Sequence, residues 1–432
     1  MTAEICLMNR HGAVLAADSA ITATQFVGNR QRERYYKGAN KIFQISEHEP
    51  VALMLHGTAS LHSIPWENLI KDFRHALGRD ACPSLNGYAE RFFDFLRGHR
   101  VVSSNEFKSL ANESVILSGA KALLNLADTD DAAKRATTAP DRKAAFDAFF
   151  DGVAAVLDAE PPPPFLPQAD YDAALVTHSG LATTIVQSLA QAWQLEQYVD
   201  AAKAAQTVLR ACYKRFTQVQ PHTGLVFCGF GSDDYFPHLS TYPCRGLVLG
   251  HLAVAEPDVG MVSLRNHAWV QPFAMSSMME TFAFGLSEAM REALRGELDG
   301  VLRGFADTLV QTCGGASPPD LDRLRQEAVK IFDQKCFDMA WKANGVPLRE
   351  VIAALSLGEL AELGETLISL ESIKERMTQP SESVGGPVDV AALTRDEGFV
   401  WIKRKHYFDP ALNPRYFERR GAISRSRLEE NS

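Results

Sequence analysis

No unbroken apolar run in the 432 residues approaches the roughly 18 that a membrane-spanning helix needs, so no membrane role is expected. The opening residues Thr2-Ala3-Glu4 lack the basic start and apolar core of a secretory signal. Cysteine is scarce: seven residues, at 6, 82, 212, 228, 244, 313 and 336, with no CxxC spacing. An odd set so spaced argues against a disulfide framework and a zinc site, and for a reducing, cytoplasmic setting. His56 and His62 have no further ligands at metal-binding spacing, so neither a metal nor a cofactor is expected. Gly229-Phe230-Gly231 lacks the rest of a GxGxxG fingerprint and a following helix, which reduces it to a strand-end turn. No basic stretch is long enough to suggest nucleic acid, and the charge balance is 44 basic against 53 acidic residues, net −9. What remains, 46% apolar and 22% charged, is the composition of a globular protein with a large core.

The informative stretch is the beginning. Residues 1–18 hold two apolar runs separated by a Gly-containing turn at Asn9 to Gly12, the pattern of a β-hairpin starting with the chain itself. Methionine before a side chain as small as Thr is normally removed, so the mature chain is expected to begin at Thr2, with a hydroxyl and a free α-amine on one residue. A Thr hydroxyl becomes a nucleophile when a base takes its proton, and the α-amine of the same residue can do so directly or through one water. A typical α-amino pKa is about 7.7–8.0. A neighbouring Lys ammonium lowers it by disfavouring a second positive charge, toward the operating pH where a general base works best. Such a site needs one Lys and a carboxylate to hold it. Asp18 ends the second run, and Lys41 opens a third, Lys41-Ile-Phe-Gln-Ile45, after a polar connection rich in Arg and Gly, with Lys37 the competing lysine. If the third run pairs beside the hairpin, Lys41 sits between Asp18 and Thr2.

Gly12-Ala-Val-Leu-Ala-Ala-Asp18-Ser19 resembles the second strand of the proteasome β-type peptidases and their bacterial relatives, which are N-terminal-nucleophile hydrolases. Asp18 follows Thr2 at the separation that family uses, and Lys41 directly precedes an apolar strand, as the family's Lys does, but after a longer loop. Val51-Ala-Leu-Met-Leu-His-Gly57-Thr-Ala resembles the next strand and the Gly turn whose N–H forms the oxyanion hole, which implies that role for Gly57. Such donors are often worth about 2.7–4 kcal/mol each. Gly224–Ser232 and Val270–Ser276 resemble middle strands, and Val384–Trp401 resembles the last hairpin. Where the family often carries Arg two residues past its Asp, this chain has Ala20. The family's supporting mid-chain Ser corresponds to Ser276 or Ser277, and Ser381-Glu382-Ser383 is the only polar group before the Gly-Gly.

The resemblance implies an α+β fold, an αββα four-layer sandwich of the N-terminal-nucleophile hydrolase type with two helical insertions. It implies Thr2, Asp18, Lys41, Gly57 and Ser276 as the catalytic set and a threonine-type hydrolase that cleaves amide, chiefly peptide, bonds. A peptide or unfolded protein is then the substrate, a homo-oligomeric ring or spiral the assembly, and an ATP-dependent unfoldase a candidate partner. Two other readings compete: a non-catalytic, proteasome-like structural subunit, and an amidase or acylase of small substrates, since nucleophile and fold do not choose a peptide by themselves.

Along the chain, residues 1–80 read as the first part of the core. Helical spacing then dominates 81–220, a helix-rich insertion broken at Pro161–Pro164. Core strands and one long helix, carrying Met279 through Met290 toward Leu294, occupy 221–297. Residues 298–345 form a second helical insertion, 346–405 a long helix and the last hairpin, and 406–432 a polar tail.

Overall fold

A computed structural model describes residues 3–27, 30–274, 277–312, 320–378 and 384–418. The first hairpin forms as β1 (Ala3–Asn9) and β2 (Gly12–Ala17), paired from Glu4 with Ala17 to Asn9 with Gly12. Every residue of both strands is buried, so the pair is covered on both faces. Its turn is anchored from below: Asn9 Nδ2 donates to the carbonyls of Ile352 at 3.0 Å and Leu355 at 2.8 Å, and Asn9 Oδ1 accepts the His11 N–H. A Cβ on Gly12 would stand 2.3 Å from the Leu393 carbonyl oxygen, which is why the turn ends on glycine.

The polar connection that follows is itself a hairpin, β3 (Ala20–Val27) with β4 (Arg30–Lys37). The short strand after Lys41, β5 (Ile42–Gln44), does not pair beside β1–β2, the condition on which Lys41 was brought to Asp18. It is the edge of a different sheet, hydrogen-bonded to β6 (Val51–Gly57). Two short strands, β7 (Ser60–Leu61) and β8 (Ile64–Pro65), lead into helices. These are α1 (Trp66–Leu77), α2 (Leu85–Gly98), α3 (Asn105–Thr129), α4 (Asp131–Arg135), α5 (Ala139–Asp158), α6 (Gln168–Thr177), α7 (Ser179–Ala192), α8 (Ala201–Lys214) and α9 (Phe216–Val219). Ser84, Ser104, Thr138 and Asp200 start four of them by accepting a backbone N–H two or three residues on, which satisfies donors the helix leaves open.

Strands return as β9 (Thr223–Gly229), β10 (His238–Val248), β11 (His251–Val254), β12 (Asp258–Met261) and β13 (Ala268–Ala274). The single helix expected toward Leu294 is two, α10 (Ser277–Phe284) and α11 (Glu288–Thr312), broken at Gly285 to Ser287. Next, α12 (Leu321–Ala340) runs through one π turn into α13 (Val346–Ala354). The chain continues with α14 (Leu357–Thr378), β14 (Asp389–Thr394) and β15 (Gly398–Lys403).

The fold is mixed α+β with antiparallel sheets. One sheet is ordered β13-β1-β2-β14-β15 and the other β11-β10-β9-β6-β5, with β12 also on β10. Strand side chains alternate between faces, and the division is visible in the packing. From β1, β2 and β14, Ile5, Leu7, Val14, Ala16 and Val390 pack with Leu360, Leu367 and Ile368 of α14. The opposite face of that sheet, Cys6, Met8, Ala13, Leu15 and Leu393, packs with Ala52, Met54, Val226 and Cys228 of the second sheet. The second sheet's other face, Leu53, Leu55, Leu225 and Phe227, meets Trp66, Phe73 and Phe92 of α1 and α2. Helices α3 and α5–α9 build a further core around Phe146, Phe150, Val208 and Leu209, which continues onto Val248 and Ala253 of β10 and β11.

Candidate active site

At the open end of β1 and β2 three charged side chains are buried together: Glu4, Asp18 and Lys41. Glu4 lies on the face of β1 that carries Cys6 and Met8, so it points between the sheets. Asp18 follows the last residue of β2. The β3–β4 hairpin leaves from there and returns, the Ala39 N–H donating to the Ser19 carbonyl at 3.1 Å. Lys41 is then fixed on the second sheet, its carbonyl accepting the Leu55 N–H at 2.9 Å, and its side chain crosses to the first.

Lys41 Nζ donates to Asp18 Oδ1 and stands 3.2 Å from Glu4 Oε1. Asp18 is held from three sides. Oδ1 also accepts the Ala3 N–H at 3.1 Å, and Oδ2 accepts the Gly385 N–H at 2.8 Å. The Asp18 N–H in turn donates to the Ala3 carbonyl at 3.0 Å. Charge-assisted bonds of this kind are short and directional, and they lock the carboxylate so that the ammonium has one position. The ammonium is therefore tied through a single carboxylate oxygen to residue 3, one peptide bond from Thr2.

Glu4 and Lys41 line a cleft of about 800 Å³, with Ile21, Phe43, Leu55, His56 and Gly57, and Asp18 lies behind them, bonded to Lys41. Gly57 ends β6 with φ 83°, and a Cβ there would lie 2.3 Å from the His222 carbonyl oxygen. The Thr58 N–H donates toward β9, to the His222 carbonyl at 3.3 Å, whereas that of Leu55 donates toward β5. Alternation along a strand aims the Gly57 N–H to the β5 side, beyond the end of that strand, where the cleft lies.

The structure thus brings Lys41 and Gly57 to one cleft, with Asp18 bonded to Lys41 from behind. Thr2 and Ser276 lie outside the described residues, as does Ser381-Glu382-Ser383. Ser277, the neighbour of Ser276, engages α14 instead: its Oγ donates to Glu371 Oε1 at 2.6 Å and accepts from Lys374. Two members went unforeseen. Glu4 was signalled by a lone carboxylate inside an apolar strand. Gly385 lay in the stretch read as the last hairpin, but with nothing local to tie it to Asp18, 367 positions away.

His56 was set aside as structural, yet it lines the cleft. Its ring stacks on Phe273 with centroids 5.3 Å apart and meets His222 edge-on at 6.0 Å. Burial, then the neighbouring His222 and Lys41, hold its pKa down at about 4. His62, whose Nε2 accepts the Leu247 N–H at 2.8 Å, is likewise lowered by burial to about 4. In the unfolded chain both titrate near 6.5. Between about 4 and 6.5 the unfolded state binds more protons, so stability rises with pH there and is lost as pH falls through that window. Shifts of this size correspond to on the order of 3 kcal/mol per group. Thermal melts across the window should show a falling midpoint toward acid, and His56→Gln should flatten the slope. A wild-type midpoint independent of pH in that range would show that these imidazoles are not held neutral.

Among the described residues no group of His, Cys, Asp or Glu could hold a metal ion, and no helix is long and apolar enough to cross a membrane. Comparison with protein-family models, curated proteins and solved structures finds no match to the chain.

Proposed function

We propose that the chain is a threonine-type N-terminal-nucleophile hydrolase of amide bonds, with Thr2 as nucleophile once Met1 is removed. The observation that carries the reading is the buried Lys41–Asp18 pair, fastened by Asp18 Oδ1 to the N–H of residue 3. In this mechanism the Thr2 hydroxyl attacks the amide carbonyl while the Thr2 α-amine takes its proton. Lys41 disfavours protonation of that amine, and Asp18 positions Lys41. The Gly57 N–H donates to the oxyanion of the tetrahedral intermediate. The amine returns its proton to the leaving nitrogen, and water releases the acyl group from the Thr2 oxygen.

The fold belongs to the same proposal. The division of alternate side chains between helices on one side and the facing sheet on the other supports a four-layer αββα arrangement of the N-terminal-nucleophile type. The helices between β8 and β9, and the α11–α12 pair, are then the two insertions.

The test uses the purified full-length chain. Intact mass should show loss of the initiator, and a Thr-directed electrophile should add one equivalent at residue 2, located by peptide mapping. Retained Met1, or labelling elsewhere that survives in Thr2→Ala, would reject the reading.

A further inference from the structure

We propose that the α11–α12 pair docks face to face on the same pair of a second copy of this chain, the four helices forming a bundle about a two-fold axis. Nothing in this requires the Lys41 cleft to be hydrolytic. A helix that packs only within its own chain turns its apolar stripe inward. Yet α12, 20 residues long, has no buried residue, and α11, 25 residues long, has only Ala306.

Ion pairs fix how the two helices sit. Arg291 meets Asp333 through bonds of 2.8 and 2.7 Å, and Arg325 donates to Asp299. Passing from 291 to 299 on α11 thus passes from 333 back to 325 on α12, so the helices run antiparallel. That register sets Val301 level with Leu324 and Leu294 with Ile331, to within a residue. All four side chains are exposed, as are Phe305 and Met339, and Val301 is 66% exposed. At about 100° per residue, the exposed apolar residues of each helix stand roughly a third of a turn back from those that bridge the pair, in the same sense. In an antiparallel pair equal rotations in one sense lead to one side. The two stripes therefore make a single apolar face.

Charge and area select the occupant. The two helices carry nine acidic and seven basic residues, interleaved, on a chain whose net charge is −9. A face framed so evenly has no field to draw in a strongly charged partner and none to repel its own copy. Its length is about 30 Å, that of α12, and two helices side by side are about 20 Å wide, so on the order of 600 Å² of each copy is covered. Two copies together bury about 1,200 Å², the lower end of the range for a specific interface. The face also fits itself. A half turn of a second copy about an axis along the pair lays Val301 on Leu324 and Leu324 on Val301, the reciprocal contact of an isologous interface. Facing apolar rows of this kind are the core of a four-helix bundle.

The experiment uses the full-length chain. Sedimentation equilibrium should give the mass of two chains at concentrations of about 10 μM, with dissociation in the micromolar range. Val301 and Leu324 are both exposed, so V301D/L324D should keep the wild-type circular dichroism and bind its own copy at least about 100-fold more weakly, as should V301K/L324K. Mixing the two variants should restore the two-chain species, because each aspartate then meets a lysine, and added salt should weaken it again. A wild type that stays monomeric across this range would overturn the proposal. So would a dimer that survives V301D/L324D, or variants that fail to pair when mixed.

Discussion

Lys41→Met is expected to lower the unfolding free energy by about 3–5 kcal/mol, the cost of breaking a buried ion pair by removing one member. Asp18 and Glu4 are both almost fully buried, and the ammonium is their shared counter-charge. Methionine fills the volume and offers no donor, so two carboxylates are left facing one another in a water-poor site. The Ala3 and Gly385 N–H groups still hold Asp18, and the ammonium stands 3.2 Å from Glu4 Oε1. Adding Glu4→Gln should therefore recover part of the loss, a coupling within the 0.5–3 kcal/mol range seen for contacting groups. Urea unfolding followed by circular dichroism measures both. Turnover should fall as well, by about 10²–10⁴, the usual worth of a tuned proton transfer. Unfolding of Lys41→Met at the wild-type urea midpoint would mean that the charges do not organise this end of the sheets.

The parts of the site that were legible are those written within one short span. Asp18 was readable because it ends an apolar strand at a recognisable distance from Thr2, and Gly57 because it ends another. Lys41 was readable as a partner only on the condition that its strand paired beside the hairpin, whereas it meets Asp18 from the other sheet. A strand of three residues carries no pairing information of its own; β6 and β9 decide it, and they lie far along the chain. The β3–β4 hairpin was read as a connection because Arg30-Gln-Arg-Glu-Arg-Tyr-Tyr-Lys37 has no apolar alternation, and a two-stranded ribbon outside both main sheets has no core face to fill. Periodicity likewise ran two helices together across Gly285 to Ser287, since a short break does not disturb the spacing of Met279, Phe282 and Met290. Glu4 is different in kind. Between Ala3 and Met8 its strand is otherwise apolar, and a charge there has to be answered by another buried charge. That requirement named the role without naming Lys41.

Turnover should be lost when either function of Thr2 is removed alone, and this is the largest effect expected. Thr2→Ala deletes the hydroxyl and keeps the amine, and a drop of about 10⁴–10⁶ is expected, as when a covalent nucleophile is removed. Placing one Gly before Thr2 keeps the hydroxyl and converts the amine to an amide, which has no basic lone pair. A loss of about 10²–10⁴ is expected there, the share of the general base. Thr2→Ser keeps both groups and should remain measurably active. Neither change removes an atom of the Lys41–Asp18 pair or of its bonds to Ala3 and Gly385, so circular dichroism and urea midpoints should match the wild type. The comparison separates two mechanisms that labelling alone does not. If the Gly-extended chain turns over like the wild type, the base is not the amine. His56 is then the next group to test, since its imidazole is kept neutral by burial and lines the same cleft. If both variants fail and Thr2→Ser survives, one residue supplies nucleophile and base together, and the role left to the Lys41 ammonium, tied through Asp18 to the N–H of residue 3, is to keep that base unprotonated.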